Sequence, residues 1–369
     1  MRLGVKRLAL NDRNCAASLK INNISNDETQ LCLSTSLSNL PDSTPPNTSI
    51  TPEKTGPSNL RLRVIWGVIG AALLLGSVWF SPWTFGLFFA AVQAVMLWEF
   101  YRMMRAGGHA PATWIGVASG TLCLATIHIF VIGYSFYAKI FGWPLGWTIY
   151  PPLSALPQAI PGTETIGPKL LMASLTSVNW LVAAAVLVVG LVLREIMLWP
   201  NNNQPFINIS STIIGLLYVS LPMAYLSRIA FGPEGYDYRR IFALLFLIWA
   251  SDIGAYAVGK TFGKHKMAPQ ISPGKTWEGW AGGFVLTLVV GWALGFMLPD
   301  MPLTHRLVAA GVVAVFAPLG DLAESMLKRS VGVKDSGSIL PGHGGLLDRF
   351  DAFLLVLPVL ALLQLLAGL

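Results

Sequence analysis

Hydrophobic residues arrive in blocks along this chain. After about sixty polar residues, apolar runs near 62–80, 83–100, 112–135, 179–199, 209–231, 239–258, 278–298, 305–327 and 350–368 alternate with polar breaks. A bilayer core of ~30 Å takes about 20 helical residues, and the runs match that length. The pattern predicts an all-α, polytopic integral membrane protein with about nine transmembrane helices. Only Ser81-Pro82 separates the first two runs, which suits a tight helical hairpin. The segment 136–178 has room for a further half-helix at 166–178.

Composition strengthens this reading. The 369 residues are 54% hydrophobic and 12% charged, against about 25% charged in soluble domains; mean hydropathy is +0.59. So little charge cannot cover a soluble globule. The net charge of +7 is expected to gather on cytoplasmic loops. With the N-terminus inside, those loops hold Arg61 and Arg63, Arg102 and Arg105, Lys260 to Lys275, and Lys328 to Arg349. Arg239 and Arg240 fall on the outer side and break the rule. Residues 1–60 are rich in Ser, Thr, Asn and Pro and read as a disordered polar tail, a cytosolic tail in preference to a transit peptide. The membrane-embedded domain is then 61–369. Cys15, Cys32 and Cys123 form no C-x-x-C pair, which argues against zinc and a disulfide framework. Gly116-x-x-x-Gly120, Gly279-x-x-x-Gly283 and Gly291-x-x-x-Gly295 fit close helix packing, inside the molecule more than between copies. There is no convincing internal repeat.

Charge concentrates between Asp321 and Asp351. At 100° per residue Asp321, Glu324, Ser325 and Lys328 share one helical face. A Glu324–Lys328 ion pair at a helix end explains two of them and leaves Asp321, which lies deeper. Acids inside a span are costly and have a partner, pathway or ligand. Gly342-His343-Gly344-Gly345 stands before the last run, where backbone N–H groups and a helix start can cradle phosphate; His343 alone reads better as a loop histidine. Asp348 and Asp351, at i and i+3, share a face at a helix start. Capping is the plain alternative for them. If they meet Asp321, three carboxylates converge, and oxygen-only ligands suit Mg²⁺ or Mn²⁺. Upstream, Asp252 lies within a span with Tyr256 and Gly259 on its face. Ser272 or Thr276 can cap the next helix. Gly274-Lys275-Thr276 is no phosphate-binding loop of the Walker type, because position 269 is Pro269. Such parts suit phosphoryl or nucleotidyl transfer, with Lys and Arg offsetting phosphate charge.

The run Ser325–Asp351, S-M-L-K-R-S-V-G-V-K-D-S-G-S-I-L-P-G-H-G-G-L-L-D-R-F-D, resembles the signature of the phosphatidate cytidylyltransferases, or CDP-diacylglycerol synthases. S-D-I-G-A-Y-A-V-G-K-T-F-G-K-H-K and I-S-P-G-K-T-W-E-G resemble that family's other segments. The likeness covers roughly 62–369, with much of 136–178 outside it. It implies a membrane enzyme that joins a lipid phosphate oxygen of phosphatidate to the α-phosphorus of CTP, giving CDP-diacylglycerol and pyrophosphate. It also implies Mg²⁺, leaves a second cation open, and points to a homodimer. Carried onto this sequence, Asp321, Asp348 and Asp351 form the metal centre, and Asp252 supports it. Lys275, Lys328, Arg329, Lys334 and Arg349 contact phosphates, with Lys328 and Arg329 placed in catalysis. Ser325, His343, Gly344 and Gly345 complete the substrate site. Nucleic acid is not expected as a partner. The expected location is a bacterial inner membrane with the site facing the cytoplasm, or a plastid membrane if the tail is a transit peptide. A CTP-dependent polyprenol or phytol kinase is the neighbouring enzyme reading. A transporter using Asp252 and Asp321 is the non-enzyme one, and it lacks the expected repeats.

Overall fold

The computed structural model describes residues 59–141, 166–201, 204–232, 235–337, 339 and 344–367. The polar tail up to 58 and the segment 142–165 lie outside them. Helices stand at all nine positions marked by the apolar runs: α1 (Asn59–Phe80), α2 (Pro82–Ala106), α3 (Thr113–Phe141), α4 (Ile166–Leu198), α5 (Pro205–Ile229), α6 (Tyr238–Phe262), α7 (Trp277–Ala293), α8 (Leu303–Ser330) and α9 (Leu347–Ala367). Among the described residues, seven are long and apolar enough to cross a membrane, α2 to α8 in this numbering. The apolar part of α1 is shorter, Val64–Phe80. The first turn of α9 carries Asp348 and Arg349, with Asp351 just beyond it.

The local chemistry accounts for the breaks. Ser81 caps α2 with a reciprocal capping box to Thr84, and Pro82 opens the helix where its missing N–H costs nothing. The expected half-helix at 166–178 is not a separate element. It continues without interruption into the next run, making α4 a single helix of 33 residues. A π turn at Leu216–Ser220 interrupts α5 just before Pro222, which absorbs the hydrogen bond that proline cannot make. It also brings Ser220 to Gln93, which donates to it at 3.2 Å from the core of α2.

Helix α2 is central. Phe85, Phe89, Met96, Phe100 and Tyr101 are all but fully buried on it. The other half of the body is a row in which α6 packs along α7, α7 on α8 and α8 on α9. Glycines set the first of these contacts. A Cβ on Gly254 would come within 2.7 Å of the Gly282 carbonyl oxygen, and one on Gly283 within 2.6 Å of that of Ser251. Gly279 lies as close to Ala255. Gly116 meets Tyr101, Gly120 meets Ser220 and Leu97, and Gly291 meets Ala310. All three small-residue motifs thus pack helices within the chain, as van der Waals attraction in lipid favours.

Two small antiparallel hairpins join the helices where the sequence suggests plain loops. β1 (Phe231–Gly232) pairs with β2 (Gly235–Tyr236) before α6. β3 (Lys266–Ala268) pairs with β4 (Ser272–Thr276) between α6 and α7, with Lys266 opposite Thr276 and an irregularity before Ala268. Thr276 caps α7 by accepting from the Gly279 N–H at 3.1 Å, whereas Ser272 belongs to the strand.

Candidate active site

The polar groups gather where α6, β4, α8 and α9 meet. Pro318 starts the arrangement. Lacking an N–H, it leaves the Ala314 carbonyl without its helical donor, and the Trp280 indole N–H fills the vacancy at 3.1 Å. From β4, Lys275 reaches the same break. Its Nζ donates to the Pro318 carbonyl at 2.9 Å and pairs with Asp321 Oδ2 at 2.7 Å. The hairpin therefore delivers a cation to the inner turn of α8. Its base is tied by Glu278, which accepts from the Lys264 and His265 N–H groups and meets His265 Nδ1 at 2.5 Å.

Asp252, exposed on α6, lies within electrostatic reach of Asp321 and Lys275. Asp351, in the second turn's approach on α9, acts on Asp321, Asp252 and Lys275 in turn. Lys275 pairs directly with Asp321, while Asp252 and Asp351 feel the charge of both from a greater distance. A second cluster adjoins it. Lys328 Nζ bridges Asp348 Oδ1 at 2.7 Å and Glu324 Oε2 at 3.3 Å, so the Glu324–Lys328 pair expected from helical spacing forms. Glu324 is buried. Ser325 is buried too and lies 3.4 Å from Asp321 Oδ1.

The three carboxylates expected to share a metal therefore divide between the clusters. Asp321 and Asp351 influence each other and Asp252 electrostatically, while Asp348 is engaged by Lys328 and by loop backbone. Its Oδ2 accepts the N–H of Gly345 at 2.9 Å and of Ser336 at 3.3 Å, which is the helix-start role weighed for it. Among the described residues no three His, Cys, Asp or Glu side chains stand close enough together to hold a metal ion. The donor chemistry nonetheless fits a hard cation. The Asp252, Asp321 and Asp351 carboxylates repel one another across the space served by Lys275, and oxygen donors of that kind suit Mg²⁺.

Of the other expected residues, Arg329, Lys334 and Arg349 are exposed around the clusters, with Arg329 donating to the Val333 carbonyl at 3.4 Å. Gly344 takes φ +83°, a left-handed conformation that glycine adopts without strain. Pro341, Gly342 and His343 lie outside the described residues.

One anchor is absent from the sequence reading. Glu99 on α2 is fully buried, and its Oε2 accepts the Leu347 N–H at 2.8 Å and stands 3.5 Å from Ser336 Oγ. A Cβ on Gly345 would come within 2.8 Å of that oxygen, and one on Gly337 within 2.8 Å of the same carboxyl carbon. Both ends of the loop thus close around one carboxylate. Glu99 is the one charged residue in the run 83–100, and an acid in a span is a signal in itself.

Over residues 61–366 the chain matches the model of a family described as the cytidylyltransferase family. It is 44% identical over 162 residues to the phosphatidate cytidylyltransferase of Bacillus subtilis, covering 43% of this chain and 60% of that protein. With the phosphatidate cytidylyltransferase of Staphylococcus saprophyticus it shares 39% over 187 residues, 50% of this chain and 70% of the relative. The protein of that name from Staphylococcus aureus is 41% identical over 164 residues, 44% and 62% of the two chains. The aligned stretches thus span 60–70% of these relatives. With its family match running through the whole helical body and the polar clusters at its centre, the chain belongs to the cytidylyltransferase family.

Proposed function

We propose that the protein is a phosphatidate cytidylyltransferase, converting CTP and phosphatidate into CDP-diacylglycerol and pyrophosphate. One observation carries the reading beyond the family match. Two lysines from different elements, Lys275 and Lys328, each stand at 2.7 Å from a carboxylate where α8 and α9 meet. Such ammonium groups are held in place before any phosphate arrives, and preorganised charge is what phosphate transfer asks of a protein.

In the reaction a lipid phosphate oxygen forms a bond to the α-phosphorus of CTP. The α–β anhydride bond breaks and pyrophosphate leaves with the electron pair. The acceptor is itself an oxyanion, so no protein nucleophile is required. Lys275 and Lys328 exchange a carboxylate partner for phosphate oxygens and hold the two substrates in line. Arg329, Lys334 and Arg349, exposed nearby, contact the outer phosphates. Asp321 and Asp351 would hold Mg²⁺, with Asp252 beside them, and Asp348 would supply a further oxygen donor. When bound, the ion neutralises phosphate oxygens and favours in-line displacement. Glu99, acting through the loop it anchors, is a positioning residue.

The same reading places the site on the cytoplasmic side of a bacterial inner membrane, with the N-terminus inside and a homodimer as the assembly. The deciding assay uses purified protein, labelled CTP, phosphatidate and Mg²⁺, with both products identified. CDP-diacylglycerol and pyrophosphate are expected, and chelation should abolish their formation until Mg²⁺ is restored. Release of CDP with a phosphorylated lipid would instead assign a kinase.

A further inference from the structure

A second polar concentration lies at the other end of the same helices. Arg240 is 12 residues before Asp252 on α6, and Ala309 is 12 before Asp321 on α8. At 1.5 Å per residue that is about 18 Å along each axis. There a cavity of about 390 Å³ opens between the start of α6, the end of α7, the start of α8 and the end of α9. Its size falls in the ~300–1,000 Å³ range of small-molecule sites.

The walls and rim differ in character. Leu244, Leu247, Leu298, Leu360 and Leu363 line the walls, while Arg228, Arg240, Asp300, His305 and Arg306 line the polar part. Counting the ion-paired neighbours, three arginines (Arg239, Arg240 and Arg306) face two aspartates (Asp237 and Asp300). Asp237 is met by Arg239 at 2.9 Å and Asp300 by Arg240 at 3.3 Å. Those pairs consume both acids. Arg306 stands outside them. Its Nη1 makes one long bond to the Trp292 carbonyl, 3.4 Å, and its Nε is buried with no hydrogen-bond partner.

The backbone makes room for two of these guanidinium groups. A Cβ on Gly232 would lie 2.7 Å from Arg240 Nε and Nη2. One on Gly295 would strike the Arg306 guanidinium in the same way. Glycine at both places lets a planar cation lie flat on the chain at the cavity mouth. This is also the end at which Arg239 and Arg240 defy the distribution of positive charge expected from topology. Asp237 and Asp300 answer those two charges, and Arg306 remains beyond them.

We propose that this cavity binds an anionic glycerophospholipid from the leaflet opposite the carboxylate clusters, its acyl chain against the leucines and its phosphate against Arg306 and Arg240. Guanidinium groups bind phosphate oxygens in two-pronged fashion, and the surplus of cations favours an acidic headgroup over a zwitterionic one. The lipid acts as a fixed ligand of the fold, at a place separate from the site where phosphatidate would react.

The test uses the delipidated full-length protein in detergent, titrated with phosphatidylglycerol, with phosphatidylcholine of the same chains, and with free glycerol phosphate. Lipid retention is read by native mass spectrometry and thermal unfolding is followed in parallel. One phosphatidylglycerol per chain should be retained and should raise the unfolding temperature, at concentrations where the other two do neither. Arg306→Gln should weaken retention about tenfold, and Leu363→Trp, which fills the apolar part, should abolish it. Equal retention of phosphatidylcholine, binding of glycerol phosphate alone, or unchanged phosphatidylglycerol retention in either variant that accumulates would overturn the proposal.

Discussion

Asp348 and Asp351 occupy one helix turn yet do different work. Asp348 sits between Lys328 and two loop N–H groups, and its side chain and that of Lys328 are largely buried. Breaking a buried pair costs about 3–5 kcal/mol, less here because neither side chain is wholly enclosed. Asp348→Asn is therefore expected to lower thermal stability together with CTP turnover. Asp351→Asn is expected to remove turnover with a much smaller loss of stability, and paired melting and activity measurements on the two separate these effects. Glu99→Gln makes a sharper case. The amide keeps one acceptor oxygen, but puts an NH₂ group at the buried Oε1 position, which has no hydrogen-bond partner, at about 1–3 kcal/mol for an unsatisfied buried group. Hydrogen exchange at the Leu347 N–H should accelerate, and turnover should fall about tenfold, while CTP concentration dependence shifts little. In the sequence, Asp321, Asp348 and Asp351 were legible as a set because spacing and family likeness both marked them. Their division between two lysines was not, since it depends on where a hairpin 46 residues before Asp321 sends Lys275.

At the scale of elements, hydrophobic block length located every helix, because lipid demands it. It was silent on continuity, so the half-helix expected at 166–178 joined α4 only in the fold. It was silent too on β3 and β4, whose residues, rich in Lys, Ser, Pro and Gly, have little strand propensity. The hairpin is held by Glu278 and the register of Lys266 with Thr276 instead. The α6–α7 contact supplies a prediction of its own. Gly283→Leu forces a side chain against the Ser251 carbonyl, and overpacking costs about 1–3 kcal/mol. It should lower the unfolding temperature and spread Asp252 from Asp321, reducing turnover as well. Gly70→Leu on α1, where nothing lies within 4 Å of the added carbon, should leave both unchanged.

For the whole molecule, the orientation proposed from the charge distribution is open to direct reading. Single cysteines at Lys264 and Lys334 should react with an impermeant maleimide only from the cytoplasmic face, and one at Asp300 only from the other. Labelling of 264 and 300 from the same face would refute the topology. The bundle also carries a constraint of time. The Glu99 carboxylate is held by the N–H of Leu347, 248 residues further along the chain. At roughly 5–20 residues per second of synthesis, about 12–50 s pass between the emergence of the two. Throughout that interval the acid of α2 sits in a growing bundle without the partner that justifies it. The loop cannot take shape until α9 is made, so the polar centre is completed after α2 to α8. Ribosome-stalled chains ending before residue 347 should be inserted and helical, yet inert.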